Sequence, residues 1–218
     1  MSPAAIINAA PLPSNGTKSA PKSSTKPIIT PSSILPNTLS TSIPAWVKPD
    51  LSRLLRVEHL SGSFASRSVS LIDLPAGAIF ARITNPTPAS CAYTSVQASR
   101  SLHIELNCDL VYINHSCRPT LVFDMMRWEV KVNPDLEGGL KAGDELTFFY
   151  PSTEWVMAQP FDCMCQEKEC KGTISGAKDM EEEVLANYWL NLHIEELLQE
   201  QKMAKGKGNG VQNASNTS

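Results

Sequence analysis

Three cysteines fall within eight residues, Cys163-Met164-Cys165 and, after four intervening residues, Cys170. Thiolates hold zinc tetrahedrally in sets of four, and a Cys-x-Cys pair can reach one ion from an extended loop while a third cysteine returns after a short turn. A closed structural site needs one more ligand from elsewhere in the chain. The alternative for the same residues is a cysteine-rich loop of free thiols. The first residues lack the basic stretch and apolar run of a secretory signal, so the six cysteines are expected to be reduced or metal-bound, not paired as disulfides. Cys91 and Cys108 have no ligand-like spacing and read as small buried residues.

Charge is unevenly distributed along the 218 residues. Residues 1–49 hold no Asp or Glu, four Lys and nine of the sixteen Pro, and residues 201–218 hold three Lys and no acid. The stretch 50–200 therefore sets 12 basic residues against all 22 acidic ones. An acidic body argues against direct nucleic-acid binding, which needs clustered Lys and Arg. It suits a basic partner such as a Lys-containing peptide, and equally a merely solvated acidic surface. No run approaches the roughly 18 apolar residues of a membrane span, so no membrane association is expected.

Residues 1–45 form a Pro/Ser/Thr-rich tract with too few large apolar side chains to offset the cost of ordering, and are expected to be a disordered tail. The ordered part is expected to start near Trp46. Short strands are expected at Leu54–Val57, Ser68–Ile72, Tyr93–Val96, His103–Leu106, Leu121–Phe123, Trp128–Val132 and Glu145–Tyr150, with a turn at Pro75–Gly77 leading into another. Gly138, Gly139 and Gly143 punctuate the approach to the last of these. Many short strands point to a mainly β fold of several small sheets. One α-helix is expected over 179–202, capped by Asp179. Glu181, Glu182 and Glu183 favour its first turn, and Val184, Leu185, Tyr188, Trp189 and Leu192 make an apolar stripe. It packs on the domain or, alternatively, meets a partner or a second copy. Residues 203–218, rich in Gly, Asn and Ser, are expected to be a second disordered tail.

Two further stretches stand beside the cysteines: Ile113-Asn114-His115-Ser116-Cys117-Arg118-Pro119 and Gly143-Asp144-Glu145-Leu146-Thr147-Phe148-Phe149-Tyr150. Together the three resemble the signature of the SET-domain family, S-adenosylmethionine-dependent protein lysine methyltransferases, over roughly 54–177. The resemblance implies a SET-like β-clip fold with a threaded C-terminal segment over 46–160, a post-SET cysteine segment over 161–177, and the helix over 178–202. It implies Cys117 as the fourth zinc ligand with Cys163, Cys165 and Cys170. Asn114 would hold the amino-acid end of S-adenosylmethionine, His115 would meet the adenine through its backbone, and Tyr112 would line the pocket. Tyr150 would close the active site near the transferred methyl, and Phe148 would influence how many methyls fit. The zinc would pin the tail over the cofactor loop.

The chain also departs from the family pattern. The Gly-x-Gly turn that approaches the cofactor has as its counterpart Ser66-Arg67-Ser68, or else Ser61-Gly62-Ser63; neither has both glycines. Val111 stands where an Arg is usual, and Phe149 where an acidic residue or Asn precedes the tyrosine. The insert between Ala81 and His103 is short, which leaves the substrate groove reduced. The implied activity is lysine N-methylation of a protein, with transfer onto a neutral amine in an apolar channel walled by Tyr112, Phe148, Tyr150 and Trp155. No residue occupies the position of a conventional general base. The alternatives are small-molecule chemistry on a SET-like frame and a non-catalytic SET-like binding module. A cytoplasmic or nuclear location is expected.

Overall fold

The computed structural model describes residues 50–59 and 66–211, with side chains to residue 206. The expected N-terminal tail, the Trp46 start, the Ser61-Gly62-Ser63 turn and residues 212–218 lie outside the described residues. Within them are twelve short strands. These are β1 (Leu55–His59), β2 (Ser66–Ser70), β3 (Ile79–Arg82), β4 (Thr87–Ala89), β5 (Val96–Ser99), β6 (Leu102–Glu105), β7 (Asn114–His115), β8 (Leu121–Asp124), β9 (Glu129–Val132), β10 (Glu145–Phe148), β11 (Phe161–Asp162) and β12 (Thr173–Ile174). Two α-helices follow, α1 (Glu182–Leu185) and α2 (Leu192–Val211). The fold is mainly β, in several small sheets with one main helix near the C-terminus, as the strand pattern requires.

The largest sheet runs β1-β2-β10-β8-β9-β3, with β7 also paired to β10. β1 and β2 are antiparallel, Leu55 opposite Ser70 and His59 opposite Ser66. β10 enters antiparallel to β2, Leu146 facing Ser68, and leaves parallel to both β7 and β8, with Phe148 beside His115 and Leu121. The polypeptide between β3 and β7 makes a separate three-stranded sheet, β4-β6-β5, and β11 pairs with β12.

Apolar positions on these strands turn to one core, where Phe80, Ile104, Leu121, Phe123, Val130, Leu140 and Leu146 are almost wholly buried. Fully burying one such side chain is worth about 1.5–3 kcal/mol, so this cluster supplies the main drive to fold. A second, smaller cluster joins Phe149 to Ala177, Leu185 and Ile194. It docks the C-terminal chain on the end of β10.

The single helix expected over 179–202 is interrupted. α1 is one turn, and α2 starts at Leu192 and runs beyond Lys202 to Val211. Two asparagines flank the break: the short amide of Asn187 competes with the helix for backbone partners, and Asn191 starts the next helix with its backbone carbonyl while its side chain bonds elsewhere. The Asn187 amide donates to the carbonyls of Glu183 and Val184, and the Asn191 carbonyl accepts from Ile194 and Glu195 at the start of α2. Asp179 lies in a separate 3-10 turn, Ala177–Asp179, and does not cap either helix. The tail expected from residue 203 is helical as far as Val211. No helix among the described residues is long and apolar enough to cross a membrane.

Candidate metal centre and adjoining site

Parallel pairing of β7 with β10 lays residues 114–117 alongside 147–150. Ser116 N–H donates to the Phe148 carbonyl at 3.1 Å, which locks the two segments in register. Both motifs therefore reach the same end of the large sheet from positions about 35 residues apart.

The four cysteines Cys117, Cys163, Cys165 and Cys170 gather so that their sulfurs lie within 4.8 Å of one another. The Cys117 and Cys163 sulfurs are 3.9 Å apart. Four sulfurs at about 2.3 Å from a tetrahedral zinc are about 3.8 Å from each other, so the donor set and its size fit that ion. Cys117 is buried; the Lys171 N–H donates to its sulfur at 3.3 Å, and His115 Nε2 lies 3.4 Å from the same sulfur. Burial pushes the Cys117 thiol up to about 11 and raises Cys163 as well. Burial also works against a Cys165 thiolate, yet the backbone N–H groups of Cys117 and Glu167 bring it down to about 7. A cation is what would make all four thiolates stable together. Of the two cysteines expected to be buried, Cys108 is half-buried against the core and Cys91 is exposed.

His115 occupies the centre of the site. Its ring is buried, which pushes its pKa down to about 4, so it is neutral. Nδ1 accepts the Tyr150 N–H at 3.1 Å. The ring sits among Phe149, Tyr150 and Phe161 with centroids 5.3–5.8 Å away. Beside the backbone pairing of His115 with Phe148, its imidazole makes contacts of its own.

Tyr150 donates its hydroxyl to the Ile113 carbonyl at 3.3 Å, and burial raises its pKa, so it keeps its proton. Phe148 stacks on Phe123 at 4.2 Å and lies 4.7 Å from Tyr150. Asn114 Nδ2 donates to the Ser66 carbonyl at 2.6 Å, and its side-chain oxygen accepts no hydrogen bond among the described residues. Ser68 has no exposed surface, and its hydroxyl donates to the Tyr112 carbonyl at 3.0 Å. A serine in place of glycine is accommodated by turning inward to hold the loop. Tyr112 is partly exposed, its ring edge-on to His59 at 5.7 Å.

Several residues at this site carry no sequence signal of their own. Phe161 reaches the His115–Tyr150 pair from β11. Tyr188 stacks on Phe149 at 3.7 Å and donates to the Cys117 carbonyl at 2.8 Å. It was legible only as one position of an apolar stripe. Gly176, at φ +119°, allows the chain to press on Trp155; a Cβ there would lie 2.5 Å from the Trp155 carbonyl oxygen.

The fold is thus a set of small β-sheets with four cysteines able to hold a metal ion gathered beside a buried tyrosine at one sheet end. No family model matches the chain. It is 49% identical over 166 residues to a protein of Aspergillus flavus named Methyltransferase flvH, a match covering 76% of this chain and 92% of that one, and it belongs to the same family. A crystal structure of KRYPTONITE in complex with mCHG DNA and SAH aligns with 17% identity and a TM-score of 0.36, over 55% of this chain and 29% of that one.

Proposed function

We propose that this protein is an S-adenosylmethionine-dependent N-methyltransferase of the SET type, acting on the side-chain amine of a lysine. The observation that carries the reading is the convergence of Asn114–Cys117, Phe148–Tyr150 and the cysteine trio on one sheet end. The name of the Aspergillus flavus relative supports methyl transfer.

The residues present fit the cofactor. The Asn114 side-chain oxygen is an acceptor for its ammonium group. Ser66 and Ser68 keep the adjoining strand tied to Asn114 and Tyr112, with no side chain of Ser68 reaching the surface. When bound, S-adenosylmethionine supplies the methyl group. The remaining work falls to the chain, which aligns, desolvates and orients. Phe148, Tyr150 and Phe161 give an apolar surround that disfavours an ammonium, so the amine reacts after losing its proton. Tyr150 Oη, holding its proton, orients the nitrogen and does not act as a base. Cys117, Cys163, Cys165 and Cys170 would hold a structural zinc ion that fixes the tail 161–174 against the site.

The acidic body favours a basic, Lys-containing protein segment as substrate. A small-molecule amine is the second reading, favoured by the shortness of the segment between β3 and β7, where the three short strands of the β4-β6-β5 sheet and one 3-10 turn, Asp109–Tyr112, are what is present to build a groove. Titration calorimetry with S-adenosylmethionine tests the first premise; absence of binding at millimolar cofactor removes methyl transfer and leaves a binding module. Radiolabelled methyl supplied with a protein extract, and separately with a metabolite extract, distinguishes the two substrates. Tyr150→Phe should abolish labelling, and an unchanged rate would overturn the assignment of Tyr150.

A further inference from the structure

We infer that His115 is a positioning residue whose imidazole joins the four-cysteine centre to the backbone of Tyr150, so that metal occupancy sets where Tyr150 stands. The inference rests on the metal and tyrosine roles proposed above, and it concerns a side chain to which the resemblance gave only a backbone contact.

The hydrogen-bond geometry fixes the tautomer. A backbone N–H can only donate, so Nδ1, which receives the Tyr150 N–H at 3.1 Å, must present its lone pair. The ring proton is then on Nε2, and Nε2 faces the Cys117 sulfur at 3.4 Å. A thiolate is the acceptor such a donor needs, and Lys171 N–H donates to the same sulfur from the other motif. Outer partners of this kind orient metal ligands and tune their affinity. Here the outer partner belongs to both sites. Its two nitrogens lie on one rigid ring, so movement of the Cys117 sulfur moves the acceptor that holds Tyr150. The ring has little freedom to escape, being buried with Phe149, Tyr150 and Phe161 around it. Ser116 N–H to the Phe148 carbonyl supports the same register but passes no signal from sulfur.

Two substitutions separate the halves of the ring. His115→Asn can place an acceptor near the Nδ1 position and removes the donor to Cys117. His115→Gln can place a donor near the Nε2 position and removes the acceptor for Tyr150. Three readouts apply to the full chain loaded with Zn2+ alone, none of them methyl transfer: the imidazole tautomer by 15N NMR, zinc affinity by chelator competition, and exchange of the Tyr150 amide with deuterium. The expected results are a proton on Nε2 in the wild type; about tenfold weaker zinc binding with a protected Tyr150 amide in His115→Asn; and retained zinc affinity with Tyr150 amide exchange faster by tenfold or more in His115→Gln. A wild-type proton on Nδ1 overturns the inference, as do equal losses of both properties in both variants, or no change in either. Should neither variant fold, the wild-type tautomer decides. A protein that binds no zinc refutes the metal reading itself, whereas zinc binding with the wrong tautomer refutes only the strut.

Discussion

Glu154 stands where a carboxylate is costly. It is buried behind the site, accepting from Gln97 N–H at 2.7 Å and the Thr153 hydroxyl at 3.1 Å. Burial pushes its pKa from 4.5 up to about 7. His103 Nδ1 lies 3.9 Å away but offers little relief, because burial lowers the His103 pKa and so disfavours its cation. Between pH 4.5 and 7 the folded protein keeps a proton that the unfolded chain releases, so this residue makes stability fall as pH rises. The depressed His103, His115 and His193 act the opposite way below their ordinary range, so the total slope is partly cancelled. Glu154→Gln isolates the effect. Its advantage over wild type in urea unfolding should be small at pH 4.5 and grow to on the order of 3 kcal/mol at pH 8. An advantage that shrinks with pH would contradict the account. At Ser68, replacement by Ala removes the hydroxyl that holds the Tyr112 carbonyl and should cost about 1 kcal/mol in the same assay. S-adenosylmethionine affinity should then weaken with it, since the loop it steadies precedes Asn114.

At the scale of elements, Asn191 joins three segments that the sequence keeps far apart. Its amide accepts from Met125 N–H after β8 and donates to the carbonyls of Phe123 and Ser152. Asn191→Ala leaves these buried backbone groups unpaired and should cost about 3 kcal/mol or more, read as a lowered urea midpoint with unchanged slope. The positions of the longer strands around the site were largely readable because alternation and turn residues mark strands locally, whereas their order in the sheet was not. Two-residue strands carry no such period, so β7, β11 and β12 were invisible. The helix expected over 179–202 failed for a related reason: the apolar stripe continues through Asn187–Asn191, while the Asn187 amide turns back on Glu183 and Val184 and the Asn191 amide bonds to Phe123 and Ser152, far away in sequence. The cysteines were legible because metal ligands come in fixed numbers. Phe161, Tyr188 and Glu154 were not, since each acquires its meaning from partners more than 35 positions away.

For the whole molecule, the four-cysteine centre and the smaller apolar cluster are the devices that fasten residues 161–194 to the sheets. Zinc removal should therefore loosen the C-terminal third before the sheets melt. Chelation at neutral pH is expected to lower the thermal midpoint and to raise the number of rapidly reacting thiols from the exposed Cys91 alone to at least four, counted with a disulfide reagent. An unchanged count would show that no metal protects them. Far-ultraviolet circular dichroism should change little, because the large sheet takes no strand from the cysteine segment.

The place of β10 between β2 and β8 has a consequence for biosynthesis. Both neighbours leave the ribosome before the strand that separates them exists. At roughly 5–20 residues per second, β2 waits about 4–16 seconds for its partner. Through that interval an unpaired edge is open to strands of other nascent chains. Slow codons between positions 71 and 144 should then raise the pelleted fraction of newly made protein, and slow codons after 148 should not.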